Sequence, residues 1–333
     1  MGEFELIDRF FKQPAQARGA SSTVPLGIGD DCALLRPSPG MELAISTDML
    51  VEGRHFFPDM DPGALGHKAL AVNLSDLAAM GAEPLGFTLA LALSDERARD
   101  ADWLEAFSGG LLALSETLEC PLVGGDTTAG PLNICVTVFG QVPARQALRR
   151  DGARAGDDVW VSGTLGDARL ALGALRGDWA LPPEVLASAR QRLERPTPRV
   201  SLGRALRGIA HAAADVSDGL AGDLGHILRA SSVGACLDAE SVLSLVATRA
   251  HFHSVDSVLN TPKWLDIVLR GGDDYELVFT APPTARVAIQ SAGARAATPV
   301  TRVGQIEATQ GLRLLEANGR AASVAAHAFD HFA

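Results

Sequence analysis

Asp61–Leu93 reads DPGALGHKALAVNLSDLAAMGAEPLGFTLALAL, and it holds a helix signal followed by a strand signal. Asp61 can cap a helix and Pro62 is tolerated in its first turn. A helix is therefore predicted through HKALAVNLSDLAAM, ending at Gly81 with Pro84 just beyond. The apolar run Leu85–Leu93 then predicts a buried strand. The same alternation continues on both sides. Glu42–Thr47 predicts a strand, Asp102–Glu119 a helix, Pro121–Val123 a strand entering Gly124-Gly125, and Asn133–Val142 another strand. Alternating helices and strands place the chain in the α/β or α+β class.

Further along, Arg145–Asp158 (RQALRRDGARAGDD) is polar, basic and glycine-containing, which predicts a linker and a domain boundary near residue 145. Strand character restarts at Val159–Ser162, and Asp167–Leu175 predicts a helix. Pro182–Pro198 predicts a helix broken by proline, Asp223–Ala230 a helix, Ile267–Leu269 a strand stub, and Glu276–Thr280 a strand.

The 333 residues carry 29 Lys+Arg against 40 Asp+Glu, a formal net charge of −11, with 47% apolar residues. Such a mix builds a globular core, and its acidity argues against a binder of nucleic-acid backbones, which need basic neutralisation. Small phosphorylated substrates remain compatible, because cations can hold them. Only Lys12, Lys68 and Lys263 are lysines, so phosphate handling must rest on arginine, backbone amides or bound metal. Cys32, Cys120, Cys135 and Cys236 show no CxxC or metal-finger spacing, as expected of free thiols in a reducing cytoplasm. Met1–Phe11 lacks the layout of a secretory leader. The longest apolar stretch, near Phe87–Leu93, falls short of the roughly 18 to 20 residues that span a bilayer. A soluble protein with no membrane or nucleic-acid partner is expected.

The acids are not scattered. Six segments join aspartate to Gly, Ser or Thr at predicted strand ends and turns: Gly27–Asp31, Ser46–Asp48, Asn73–Asp76, Gly124–Thr127, Asp215–Gly219 and Gly271–Asp274. Any one alone is ordinary turn chemistry. Asp76 is unusual, since it lies within a helix among Ala, Val, Leu and Met, although it could still face solvent. Taken together, converging carboxylates would repel one another unless cations neutralised them. Carboxylate and hydroxyl oxygens are the ligands that Mg²⁺ prefers. Several Mg²⁺ ions bridging to substrate phosphates therefore account for the set. The chain has no GxxxxGK[ST] phosphate loop, no protein-kinase motif set, no GxGxxG, no GxSxG and no HExxH.

In order and spacing, GIGDDCALL (27–35), STDMLVEGRHF (46–56), KALAVNLSDLAAMGAEP (68–84), GGDTT (124–128), DVSDGL (215–220) and GGDDYELVF (271–279) closely resemble the thiamine-monophosphate kinase family. That family shares a superfamily with aminoimidazole ribonucleotide synthetase, selenophosphate synthetase and a hydrogenase-maturation protein. The resemblance implies a two-domain α/β (α+β) fold of the aminoimidazole ribonucleotide synthetase type, with mixed sheets flanked by helices and an active-site cleft between the domains. Residues 1–144 would form an ATP- and Mg-binding domain that also dimerises, and residues 145–333 would complete the substrate cleft. The implied reaction is direct in-line transfer of the γ-phosphoryl of ATP to thiamine monophosphate, giving thiamine diphosphate and ADP.

Carried over by motif, the Mg²⁺ ligands would be Asp30, Asp31, Ser46, Thr47, Asp48, Asp76, Asp126, Asp215 and Asp218. Asp48, Asp126 and Asp218 would form the catalytic part of that set. Gly125, Asp126, Arg150 and Ser217 would contact ATP, while His55, Asp273 and Phe329 would contact thiamine monophosphate. Some relatives carry Glu where this chain has Asp273. Trp264, just before the GGDD motif, is a candidate either for stacking on the substrate or for the core. The competing readings are another enzyme of the superfamily, of the selenophosphate synthetase or hydrogenase-maturation type, and a non-catalytic sensor of Mg-nucleotide or thiamine phosphate.

Overall fold

In the computed structural model, residues 2–17, 22–248 and 261–325 are described. The chain divides into two units, Met1–Leu77 with Ala82–Arg145, and Ala78–Gly81 with Gln146–Ala333.

The first unit opens on short helical pieces: α1 (Glu3–Ile7), a π-helical turn (Asp8–Lys12) and α2 (Gln13–Gln16). A four-stranded sheet follows, with spatial order β1 (Met41–Val51), β4 (Asn133–Pro143), β2 (Glu83–Leu93), β3 (Leu122–Ala129). β4 runs antiparallel to both neighbours, and β2 pairs with β3 in parallel. Three helices join the strands: α3 (Pro62–Ala79), α4 (Asp95–Arg99) and α5 (Ala101–Thr117). Asp61 caps α3 as predicted, its Oδ1 accepting from the Ala64 N–H at 2.7 Å. Leu65, Leu70, Leu74 and Leu77 are all buried, so α3 is covered on nearly every side rather than amphipathic.

Strand alternation then separates two sheet faces. Phe87, Leu89 and Leu91 of β2 align with Val138, Val136 and Ile134 of β4, and all six are buried. On the opposite face, Leu43, Ile45 and Met49 of β1 are 52%, 60% and 52% exposed.

The second unit is built on a seven-stranded sheet. Its strands are β5 (Asp158–Ser162), β6 (Ala212–Val216), β7 (Gly234–Asp238), β8 (Glu276–Ala281), β9 (Val300–Glu307), β10 (Gly311–Leu315) and β11 (Ala321–Val324). They lie in the order β11-β10-β7-β9-β5-β8-β6, antiparallel except for the β7–β10 pair. The accompanying helices are α6 (Asp167–Arg176), α7 (Pro183–Glu194), α8 (Val200–Leu206), α9 (Leu220–Ser231), α10 (Ala239–Leu243), α11 (Thr261–Arg270) and α12 (Arg286–Arg295). Val159, Val161, Leu170, Leu224, Ile227 and Val278 are among the side chains that fill its core.

Three expectations change. Ile267–Leu269 is not a strand stub but part of α11, where Trp264, Ile267 and Val268 recur at helical spacing and are buried together. A short β-branched run reads alike in either setting, and the tryptophan one turn earlier decides it. Arg145–Asp158 joins the two units, as a linker would, but it is more ordered than its composition suggests. It contains a 3-10 turn at Arg150–Gly152, and the Asp157 and Asp158 side chains are buried. Ser46–Asp48 and Gly124–Asp126 lie inside β1 and β3 rather than at strand ends.

Candidate functional site

In the first unit, β1 and α3 bring oxygen donors together. Ser46 and Asp48 align with the buried Val138 and Val136 of β4, so they share the helix-covered face. From α3, Asp76 accepts a hydrogen bond from the Ser46 hydroxyl at 2.5 Å. One turn earlier Asn73, almost fully buried, accepts from the Asp48 backbone N–H at 2.9 Å. Its amide also donates to the Ala69 carbonyl at 3.0 Å, which fixes the orientation of the side chain. Asp76 is thus turned toward β1, which answers whether it faces solvent.

Thr47 is placed differently. Alternation sends its side chain to the uncovered face, where its hydroxyl meets that of Thr137 at 2.9 Å. It does not join Ser46 and Asp48 through its hydroxyl. Asp30 and Asp31 lie exposed in a loop closed by the Leu34 N–H donating to the Leu26 carbonyl at 2.8 Å. Asp30 accepts from the Asp31 N–H at 2.9 Å, and Gln16 on α2 donates to the Ile28 carbonyl at 3.2 Å. Gly125 has φ +151, and a Cβ there would sit 1.9 Å from the Leu89 carbonyl oxygen, so only glycine lets β3 run beside β2. Asp126 follows, exposed on β3. His55 lies in the turn after β1, its Nδ1 accepting from the Val51 N–H at 3.0 Å; the remaining ring nitrogen of the neutral form is then the donor.

In the second unit, two loops form one platform. Asp215 sits near the end of β6, and Ser217 and Asp218 lie in the turn before α9. The Asp273 N–H donates to the Ser217 carbonyl and the Tyr275 N–H to the Val216 carbonyl, both at 2.8 Å. Gly272 must be glycine, since a Cβ there would lie 2.6 Å from the Ser217 oxygen. Asp273 and Tyr275 adopt φ +62 and +53, left-handed backbone that side chains disfavour, so the loop is strained where it presents Asp273. The Tyr275 hydroxyl donates to Asp273 at 3.3 Å.

Buried charges anchor this platform. Asp274 accepts from the Gly166 N–H at 2.9 and 3.0 Å, and burial pushes its carboxyl well above the usual carboxylate range. Glu276, fully buried, is met by Arg199 at 2.5 and 2.6 Å, by Arg192 at 2.7 Å and by the Ser162 hydroxyl at 2.6 Å. Asp223, on the first turn of α9, accepts from the Asp218 N–H at 2.9 Å. Burial raises its pKa to about 7, with backbone bonds from Asp218 and Ser217 opposing the rise. The Arg150 guanidinium is close enough to act electrostatically on both Asp223 and His226, and its carbonyl accepts from Ser231 at 2.9 Å. Burial first, then Arg229 and Arg150, lower the His226 pKa.

Among the described residues, no three His, Cys, Asp or Glu side chains gather as a metal-binding group. The expected cage is instead seen as smaller oxygen-bearing sets, each held in its own unit. Trp264 is buried in the second unit's core, the packing alternative. Phe329 lies outside the described residues. Reading of the sequence placed Asp274 in a motif without giving it a role, did not foresee Asn73 as a partner of Asp48, and missed Asp223 and Glu276. Their signal was proximity: each lies within five residues of a motif aspartate.

Two family models match the chain: AIR synthase related protein, N-terminal domain, over residues 29–142, and its C-terminal domain over residues 154–316. The chain is 45% identical over 334 residues to the thiamine-monophosphate kinase of Salmonella typhimurium (strain LT2), covering 100% of this chain and 98% of that protein. The crystal structure of thiamine-monophosphate kinase from Stenotrophomonas maltophilia K279a matches with a TM-score of 0.83 and 46% identity, over 97% of this chain and 98% of that one. AaThiL, solved in complex with AMPPCP and TMP, matches with a TM-score of 0.73 and 30% identity, over 96% of this chain and 94% of that one.

Proposed function

The chain belongs to the thiamine-monophosphate kinase family of AIR synthase related proteins, and from that premise we propose that it transfers the γ-phosphoryl group of ATP in line to thiamine monophosphate, releasing ADP and thiamine diphosphate. The observation that carries the reading is the meeting of Ser46 and Asp76 between β1 and α3, with Asn73 fixing the Asp48 backbone beside them, which gathers oxygen donors of the kind a hard cation takes. Full-length identity of 45% to a thiamine-monophosphate kinase supports it over the other superfamily enzymes and over a mere sensor.

The donor chemistry fits Mg²⁺, since neither thiol nor imidazole enters that set. We assign the ions to Asp30, Asp31, Ser46, Asp48 and Asp76 in the first unit, with Asp126 joining from the neighbouring face, where its register sets it in line with Ala90 and Cys135, and to Asp215 and Asp218 in the second. Thr47, whose hydroxyl faces the other way, would join only through its main chain. Bound Mg²⁺ supplies neutralisation of phosphate charge. ATP would be held by Gly125, where the backbone lies bare, and by Asp126, Arg150 and Ser217. His55, Asp273 and Phe329 would hold thiamine monophosphate, with Tyr275 orienting the Asp273 carboxylate. The acceptor is a phosphate monoester already ionised near neutral pH, so positioning and charge matter more than a strong base. Arg150 lessens the repulsion between the two anions.

We further propose a homodimer acting in the cytoplasm. The uncovered apolar face with Leu43, Ile45 and Met49 suits burial against a second copy, and all four cysteines are free thiols. The decisive experiment incubates the protein with ATP, Mg²⁺ and thiamine monophosphate and follows product. Appearance of thiamine diphosphate with equimolar ADP is expected; none at millimolar Mg²⁺ sinks the kinase reading.

A further inference from the structure

Asp223 has no place in the motif-based assignment, yet it is the side chain that shapes the turn presenting Ser217 and Asp218. It is 4% exposed and lies on the first turn of α9. Its Oδ2 accepts from the Asp218 N–H at 2.9 Å, and the Ser217 N–H is near enough to favour the ionised carboxyl. A buried carboxylate is costly unless such donors satisfy it, and those amides have no helical acceptor of their own. From the other side, the Ser217 carbonyl accepts from the Asp273 N–H at 2.8 Å. The Ser217–Asp218 segment is thereby gripped through the Asp218 N–H by Asp223 and through the Ser217 carbonyl by the GGDD loop. The backbone that carries the Ser217 hydroxyl and the Asp218 carboxylate is fixed from both sides.

We propose that Asp223 is a positioning residue for the nucleotide: it holds Ser217 and Asp218 in the conformation that meets the ATP phosphates, without touching ATP itself. The inference rests on the kinase reading, with Ser217 and Asp218 on the nucleotide side of the reaction. Loss of a hydrogen bond that fixes a binding loop corresponds to about a tenfold change in an equilibrium constant.

The test is Asp223→Asn, which keeps the shape and replaces one acceptor oxygen by a donor N–H₂. The expected result is a KM for ATP raised about tenfold, with the KM for thiamine monophosphate nearly unchanged. Equilibrium binding of a fluorescent ATP analogue, measured without thiamine monophosphate, should weaken by the same factor. That second measurement needs no turnover, so it tests the positioning even if the kinase assay fails. Unchanged nucleotide affinity in a folded Asp223→Asn protein overturns the proposal, as do equal losses for both substrates. Should the variant not fold, amide hydrogen exchange in the unaltered protein decides. Slow exchange at the Asp218 amide, which lies outside any helix or strand ladder, supports the grip; exchange at the rate of a free loop refutes it.

Discussion

Ser46 and Asp76 are thirty positions apart and meet at 2.5 Å. What brings them together is simple: a strand shows alternate residues to one face, and a helix lying across that face offers one residue per turn. The sequence made Asp76 conspicuous, because a carboxylate among Ala, Leu and Met asks for a partner. It gave no comparable hint for Asn73, whose amide is consumed by two backbone bonds. Thr47 shows the reverse case. It stands inside a motif of three consecutive oxygen-bearing residues, yet the period of two turns its hydroxyl to the far face. At this scale the assignment makes a clear demand on Asp48. Asp48→Ala should lower kcat at least about a hundredfold while the thermal unfolding midpoint stays near wild type, because the side chain belongs to the proposed site and not to the core. Near-normal turnover in that variant would remove Asp48 from the chemistry.

Elements differ in how openly they announce themselves. α3 carried a cap, a long apolar register and a glycine stop, and it was read nearly to the residue. β5, β4 and β8 were legible for the same reason, as apolar runs between polar breaks. α11 was not, since Ile267–Leu269 alone satisfies strand and buried helix equally. β9 to β11 pass between exposed and buried positions without a run long enough to stand out. The segment before β5 does join the two units, but its polar composition did not announce the acids it buries. In fact Asp158 is fully buried at the start of the strand, where Arg286 of α12 and Arg302 of β9 converge on it at 2.6 and 3.3 Å. The Arg286 hydrogen bonds foremost hold its carboxyl below the ordinary value of 3.8. The folded protein therefore gains stability from this group above that value, and loses it as pH falls through the lower folded pKa. Asp158→Asn should cost about 2 kcal/mol at pH 7, less than a fully buried pair because both guanidiniums are half exposed. Its urea midpoint should also fall less steeply than that of the wild type between pH 4 and pH 2. Parallel acid limbs in the two proteins would show that the pair does not contribute.

On the scale of the whole molecule, a net charge of −11 ceases to conflict with phosphate handling once the aspartates are placed. Many stand where cations are proposed, so the loaded protein is less acidic than the bare chain. The other large-scale property is the apolar face of the first unit's sheet. Ile45→Lys, in the middle of that face, should convert the proposed dimer to a monomer by sedimentation without unfolding it. A dimer that persists with unchanged stability would place the interface elsewhere. The chain also contains a single tyrosine, and it is Tyr275, in left-handed backbone with its hydroxyl on Asp273. The protein thus carries a built-in reporter at the loop assigned to thiamine monophosphate. Biosynthetic incorporation of fluorotyrosine would yield one ¹⁹F resonance for 333 residues, and it should move when thiamine monophosphate is added. A resonance indifferent to that ligand would free the loop from its assigned role, and a responsive one would time its motion directly.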